Sequence, residues 1–171
     1  MKKQPMKKET IYNAAEIAIT YKVNPAPSEA YKITCSRDIY NLMIELPKIN
    51  ENIQYKEMFF SILLNNANEV IAVHKISEGT TTSTPVDIKF ILQGAILANA
   101  SNIIICHNHP SGRLEPSNED KKITIRIQQS AEIFNIKLLD SLILSINNYF
   151  SFTDNGIRSE ERRVGKECTI Q

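Results

Sequence analysis

The stretch that decides the fold is HNHPSGRLEPSNED, residues 107–120. It follows the apolar run IIIC at 103–106 and precedes a helical pattern that extends from Ile123 to Phe134. The sequence therefore predicts a strand that ends at two histidines, a loop with proline and glycine, and a helix that begins at Ser117. These elements would bring polar side chains to one place from two directions.

The histidines and the acidic residue of this stretch form a candidate metal site. In an extended strand, residues two apart point to the same side, so His107 and His109 can bind one ion while Asn108 faces away. Ser117 suits an N-cap, and Asp120 lies three residues later, where a capping box and the helix dipole favour an ionised carboxylate. Two imidazoles and one carboxylate leave a fourth tetrahedral position open, which is typical of catalytic zinc sites; structural sites have four protein ligands.

A metal-dependent hydrolase also needs a group that takes a proton from water and gives it to the leaving group. Glu57 is a candidate because it borders the buried run that begins at Met58. Sequence spacing alone does not place it beside the histidines, and other glutamates remain alternatives, namely Glu45, Glu51, Glu69 and Glu78.

The rest of the chain predicts one α/β domain with a mixed β-sheet flanked by helices. Ser36 and Asp87 are candidate N-caps of two further helices, and Pro47 should end the first of them. Cys106 is expected in the core, and the isolated His74 is expected to be a packed or half-exposed strand residue. The predicted strands are residues 58–64, 70–76, 103–106, 136–139, 142–146 and 149–152.

Composition sets limits on the class of protein. Hydrophobic residues make up 42% of the chain and charged residues 23%, which is typical of a soluble globular domain. The formal net charge of +1 gives no support for nucleic acid as a general partner, and no apolar run is long enough to span a membrane. Three scattered cysteines, Cys35, Cys106 and Cys168, favour a reducing cytoplasm over a disulfide framework.

The two ends of the chain differ from the predicted domain, which we place at residues 36–155. Residues 1–35 have a basic start and few patterned positions, so we expect a solvated arm, with a docking strand or a nucleic-acid arm as alternatives. Residues 156–171 include a dense run of alternating charge that resembles translated adapter sequence, so we interpret them as a non-native tail. A genuine charged tail is the alternative.

The spacing of the candidate residues resembles the JAMM motif of the JAB/MPN metalloprotease family, and the string HNHPSG resembles its RadC-like branch. The resemblance extends from about Thr34 to Phe152. It implies a mixed sheet related to the cytidine-deaminase fold and hydrolysis of a peptide or isopeptide bond in a peptide or protein substrate. By carry-over, Zn²⁺ would be bound by His107, His109 and Asp120, with Glu57 activating water and Ser117 stabilising the oxyanion. The name of the branch also implies a link to DNA repair.

The chain departs from the family pattern at two places, and the sequence leaves alternative functions open. The chain has Ser141 after Asp140, where the family usually has histidine, and Ile88-Lys89 where the branch often has Pro-Arg. A metal-binding scaffold that docks a repair or replication partner is the main alternative to an enzyme. A deaminase would need His-x-Glu and Pro-Cys-x-x-Cys, and an HNH nuclease motif is dispersed over a hairpin and helix, so neither fits. The sequence does not indicate an oligomeric state.

Overall fold

The centre of the fold is a five-stranded mixed sheet, seen in a computed structural model that describes residues 30–79 and 86–157. The strands are β1 (Met58–Leu64), β2 (Val70–Glu78), β3 (Asn102–Asn108), β4 (Lys137–Leu144) and β5 (Tyr149–Ser151), in the order β2-β1-β3-β4-β5. Only β3 and β4 are parallel, and the other neighbours are antiparallel. The predicted α/β class and mixed sheet are therefore confirmed.

Within the described residues, four helices flank this sheet on two sides, namely α1 (Ser36–Glu45), α2 (Pro47–Asn50), α3 (Ile88–Leu97) and α4 (Asn118–Glu132). Alternate residues of β1 and β3 point to opposite sides, and both sides are covered. This explains why every residue of β1 and β3 is buried and why their sequences are almost continuously apolar. Cys106 is fully buried on the side of α1, as predicted.

The crossover from β3 through α4 to β4 positions the decisive stretch. Parallel neighbours need such a crossover, and the chain returns to the sheet through a helix that packs on one face. The end of β3 and the beginning of α4 therefore lie at the same edge of the domain. The loop that joins them turns at Gly112, whose φ of +73° is the left-handed conformation that glycine adopts without strain.

Three local predictions need correction. The N-cap of α1 is Cys35 and not Ser36, because the Asp38 carboxylate accepts hydrogen bonds from the backbone N–H groups of Cys35 and Thr34 at 3.0 and 2.7 Å. The Ser36 hydroxyl instead contacts the Tyr149 hydroxyl at 3.0 Å. The predicted strands 136–139 and 142–146 are one strand, β4. The helical pattern predicted to extend to Phe134 ends earlier, because α4 ends at Glu132, and Phe134 is half exposed.

Asp140, a charged residue in the gap between the two predicted strands, lies within β4. Its carboxylate is buried in the middle of β4, where it accepts hydrogen bonds from the Ser141 N–H, the Ser151 hydroxyl and the Thr153 N–H at 2.7, 2.6 and 3.0 Å. A buried carboxylate with three donors is compatible with a continuous strand, since its lone pairs are satisfied.

The ends of the chain are described only in part. Residues 1–29 of the predicted arm, residues 158–171 of the predicted tail and the segment 80–85 lie outside the described residues. The described end of the arm is packed, because Ile33 is buried and its N–H donates to the Asn68 carbonyl at 2.9 Å. Among the helices that the structure describes, none has the length and apolar character needed to cross a bilayer.

His74 on β2 is half buried, as predicted, and it explains the glycine at position 94. A Cβ atom on Gly94 would lie 2.5 Å from Nδ1 and 3.1 Å from Cε1 of the His74 ring. The ring and α3 can approach this closely only because position 94 has no side chain.

We expect Gly94→Ala to lower the free energy of unfolding by about 1 kcal/mol. The cost of overpacking against His74 should exceed the gain of about 1 kcal/mol that alanine brings to a helix. In a His74→Ala background the same substitution should stabilise the protein by about 1 kcal/mol, because the clash is gone. Denaturant unfolding of the four proteins measures the coupling. Equal effects of Gly94→Ala in both backgrounds would contradict the contact.

Candidate metal centre

The three predicted ligands meet at the end of β3. His107 lies within β3, and His109 continues along the sheet, because its N–H donates to the Leu144 carbonyl of β4 at 3.3 Å. Asp120 lies in the first turn of α4. One donor atom from each of the three side chains lies within 4.8 Å of the others. Within the described residues, no fourth His, Cys, Asp or Glu joins this cluster.

The distances between the donor atoms fit a small tetrahedral cation. His107 Nε2 lies 3.0 Å from His109 Nε2 and 3.1 Å from Asp120 Oδ1, and His109 Nε2 lies 3.7 Å from Asp120 Oδ2. Metal–ligand bonds of about 2.0–2.1 Å at tetrahedral angles place the ligands about 3.3 Å apart. Two imidazole nitrogens and a carboxylate facing one another at these distances are therefore suited to a shared cation.

A backbone carbonyl sets the tautomer of His109. Its Nδ1 lies 2.7 Å from the Arg113 carbonyl oxygen, which can only accept a hydrogen bond. Nδ1 must therefore carry the proton, which leaves the Nε2 lone pair directed at the cluster. Sequence reasoning missed this contact, because the carbonyl comes from a loop whose path depends on the left-handed turn at Gly112.

An aromatic side chain holds the ring of His107. Phe59 of β1 is paired with His107 in the sheet, and the two rings are nearly parallel, with centroids 5.9 Å apart and an angle of 9°. Both residues are 3% exposed, so the His107 ring has little room to rotate. This residue was also missed by sequence reasoning, since Phe59 was interpreted only as part of an apolar strand.

The capping box at the start of α4 fixes the third ligand. Asp120 Oδ2 accepts hydrogen bonds from the Ser117 N–H and hydroxyl, both at 2.7 Å, and the Asp120 N–H donates to the Ser117 hydroxyl at 3.1 Å. Oδ1 is thereby left facing His107. Burial alone would raise the pKa of Asp120, but the hydrogen bonds with His107 and Ser117 lower it well below its usual range. The carboxylate is therefore ionised, as a metal ligand must be.

Glu57 lies beside this cluster. It directly precedes β1, and the pairing of Phe59 with His107, continued by two residues, sets Glu57 opposite His109. Partial burial raises the pKa of Glu57, the two histidines lower it, and the Asp120 carboxylate raises it. The net pKa is above the ordinary value of a glutamate, and all three predicted ligands are close enough to influence it.

The other glutamates are placed differently. Glu69 lies in the turn at the far end of β1, seven residues of strand away from Glu57. Glu78 is bound by Lys56 and Lys75 at 2.8 and 2.7 Å, and these hydrogen bonds lower its pKa to about 2, which makes it a poor proton acceptor. Of Glu57, Glu69 and Glu78, Glu57 is the one whose pKa is influenced by all three residues of the cluster.

The chain is similar to proteins that share one domain. The profile of the RadC-like JAB domain matches residues 33–157. The chain belongs to the RadC-like JAB domain family. A UPF0758 protein of Flavobacterium johnsoniae is 41% identical over 126 residues, which cover 74% of this chain and 53% of that protein. A UPF0758 protein of Clostridium beijerinckii is 33% identical over 152 residues, which cover 88% of this chain and 64% of that protein.

These relatives are longer than the chain. A further UPF0758 protein, of Clostridioides difficile, is 45% identical over 102 residues, 60% of this chain and 43% of that protein. The chain therefore spans about half the length of the curated relatives it matches. Their name describes no activity, so family membership supports the JAB fold, and any hydrolytic activity of this chain is a proposal.

The ligand set can be tested with two neighbouring acids. We expect Asp120→Ala to reduce zinc affinity by more than about 100-fold, a larger loss than an outer-shell change gives. Glu119→Ala is the matched control, since Glu119 lies in the same helical turn but is exposed and forms an ion pair with Lys122 at 2.7 Å. Isothermal titration with zinc measures both variants. Equal zinc affinity in the two variants would refute Asp120 as a ligand.

The raised pKa of Glu57 predicts a pH-dependent cost to folding of the metal-free protein. A carboxylate with a higher pKa in the folded state destabilises the protein as pH rises from the unfolded pKa through the folded one. Glu57→Gln removes this cost, so its free energy of unfolding should exceed that of the wild type near neutral pH. The difference should disappear only well below the ordinary glutamate pKa of about 4.3, where the carboxyl is protonated in both states. Urea unfolding across this range, with EDTA present, is the measurement, and a difference independent of pH would contradict the burial of Glu57.

Proposed function

We propose that the domain is a zinc-dependent hydrolase of the JAMM type that cleaves a peptide or isopeptide bond in a peptide or protein substrate. The observation that carries the proposal is Glu57, a partly buried carboxylate with a raised pKa, beside two histidines and an aspartate that can hold one cation. A scaffold that only bound metal would have no need of a proton acceptor in this position.

His107, His109 and Asp120 would hold the zinc ion. When bound, zinc would polarise a carbonyl oxygen and lower the pKa of a water molecule to about 7. Glu57 would accept a proton from the attacking water and pass it to the leaving amine. A carboxylate whose pKa is raised accepts a proton more readily than an ordinary glutamate, which suits the first of these steps.

Ser117 would stabilise the negative charge that develops on the carbonyl oxygen. In the structure its hydroxyl hydrogen is directed at Asp120 Oδ2 at 2.7 Å, so this role requires the hydroxyl to rotate toward substrate. The Ser117 N–H would keep Asp120 in place during that rotation, since it donates separately to Oδ2 at 2.7 Å.

We propose that the domain acts in the cytoplasm on a protein partner. The thiols of Cys35 and Cys106 are free, which suits the reducing cytoplasm. A connection with DNA repair rests on the family name alone. Since the net charge of the chain is +1, we propose contact with a protein partner and not with nucleic acid.

The decisive experiment separates metal binding from chemistry. Zinc-loaded protein should cleave a library of peptides and isopeptide-linked conjugates, and Glu57→Gln should keep its zinc while losing about 10²–10⁴-fold in kcat. Glu78→Gln is the control, because Glu78 lies near Glu57 on the adjoining strand but is paired with two lysines. Its kcat should match the wild type.

Two results would overturn the proposal. If the Glu57→Gln variant retains full kcat, the assigned proton acceptor is wrong. If zinc-loaded wild type cleaves no amide bond of any of these classes, the domain is a metal-binding scaffold.

A further inference from the structure

The middle residue of the His-Asn-His tripeptide is buried on the side of the sheet opposite the metal ligands. Strand alternation directs His107 and His109 to the α4 side and Asn108 to the α1 side. Asn108 is 1% exposed. A buried amide needs hydrogen-bond partners, and the three partners of the Asn108 side-chain amide belong to one segment of the chain.

That segment is the approach to β1, which carries Glu57. Asn108 Oδ1 accepts from the Met58 N–H at 2.8 Å, and its Nδ2 donates to the carbonyls of Ile53 and Lys56 at 2.8 and 2.7 Å. Glu57 lies between two of these partners. Its own carbonyl accepts from the Gly79 N–H at 2.9 Å, which ties it to the end of β2.

We propose that Asn108 is the positioning residue for Glu57. On one side of the sheet, the His-Asn-His tripeptide carries the two histidine ligands. On the other side, its asparagine fixes the backbone on either side of Glu57, the proposed proton acceptor. Asn108 does not touch substrate or metal. This inference rests on the proposed hydrolase function, in which Glu57 must stay within reach of the attacking water. Fixing the residues on either side of Glu57 limits the directions in which its side chain can point, and a displacement of about 1 Å can cost about 100-fold in rate.

The amide side chain suits this task for a chemical reason. One group supplies an acceptor for an N–H and two donors for two carbonyls, so a single side chain satisfies three backbone groups. An aspartate in place of Asn108 would lack the donors, and an alanine there would leave all three backbone groups without a partner. The segment would keep the buried side chains of Ile53 and Met58 and the hydrogen bond from Gly79 to Glu57, but it would lose the contacts to the backbone on either side of Glu57.

The test uses Asn108→Ala with Asn102→Ala as the matched control. Asn102 is a buried asparagine at the other end of β3, and its amide donates to the Asn65 carbonyl and to Asn68 Oδ1 at 3.2 and 2.9 Å. Both variants lose buried hydrogen bonds of the same strand, so a general loss of stability affects both. Asn108→Ser, in which a water molecule can enter the space, replaces Asn108→Ala if that variant does not fold.

Two readouts follow the position of Glu57 without requiring activity. Amide exchange should accelerate at residues 53–58 in the Asn108 variant and at residues 65–68 in the Asn102 variant. In protein loaded with cobalt(II) and labelled at glutamate carboxyl carbons, paramagnetic relaxation of the Glu57 carboxyl should weaken in the Asn108 variant alone. Zinc affinity should match the wild type in both variants, because His107 and His109 remain in place.

In the Asn108 variant, kcat should fall by about 10–100-fold, and KM should stay within about threefold of the wild type. In Asn102→Ala, both constants should match the wild type. An unchanged relaxation of the Glu57 carboxyl, or a loss of zinc affinity that accounts for the whole effect, would overturn the positioning role. If Glu57 moves as expected but the wild type cleaves no amide bond, the positioning inference stands and the proposed hydrolase fails.

Discussion

The hydrogen bonds between Ser117 and Asp120 are the interaction on which the candidate metal centre depends. They end the loop and begin α4, and they use one oxygen of the Asp120 carboxylate so that the other faces His107. A capping box ordinarily stabilises a helix terminus by a modest amount. Here the same contacts orient a predicted ligand, so local helix stability and the geometry of the candidate site cannot be changed separately.

The second constraint is the alternation of side chains along β3. Both faces of the sheet are covered, so each residue of this strand contacts one of two different layers. The side chains of odd-numbered residues of β3, such as Ile105 and His107, point to the α3 and α4 side. Those of even-numbered residues, such as Cys106 and Asn108, point to the α1 side. A shift of the register by one residue would bury both histidines among apolar side chains, so the two packed layers together hold the site in register.

Much of the ligand set could be predicted from the sequence because it depends on local spacing. Strand alternation relates His107 to His109, and the capping box relates Ser117 to Asp120. Glu57 could not be placed in this way, because its position depends on the pairing of β1 with β3, which are far apart in the sequence. The prediction of Ser36 as the N-cap of α1 was wrong for a similar reason. Ser36 has a suitable side chain, but its hydroxyl forms a hydrogen bond with Tyr149, which lies near it only in the folded chain.

Ser141 illustrates how a departure from the family pattern can leave the ligands unchanged. The Thr124 hydroxyl lies 2.7 Å from the Asp120 carbonyl and 3.2 Å from the Ser141 hydroxyl. The single hydrogen of the Thr124 hydroxyl is shared between two acceptors, the Asp120 carbonyl and Ser141 Oγ. This chain of hydroxyl groups links β4 to the first turn of α4 through the backbone of Asp120 and not through its carboxylate. Serine at this position therefore supports the helix that carries the ligand, while the orientation of the carboxylate stays with Ser117.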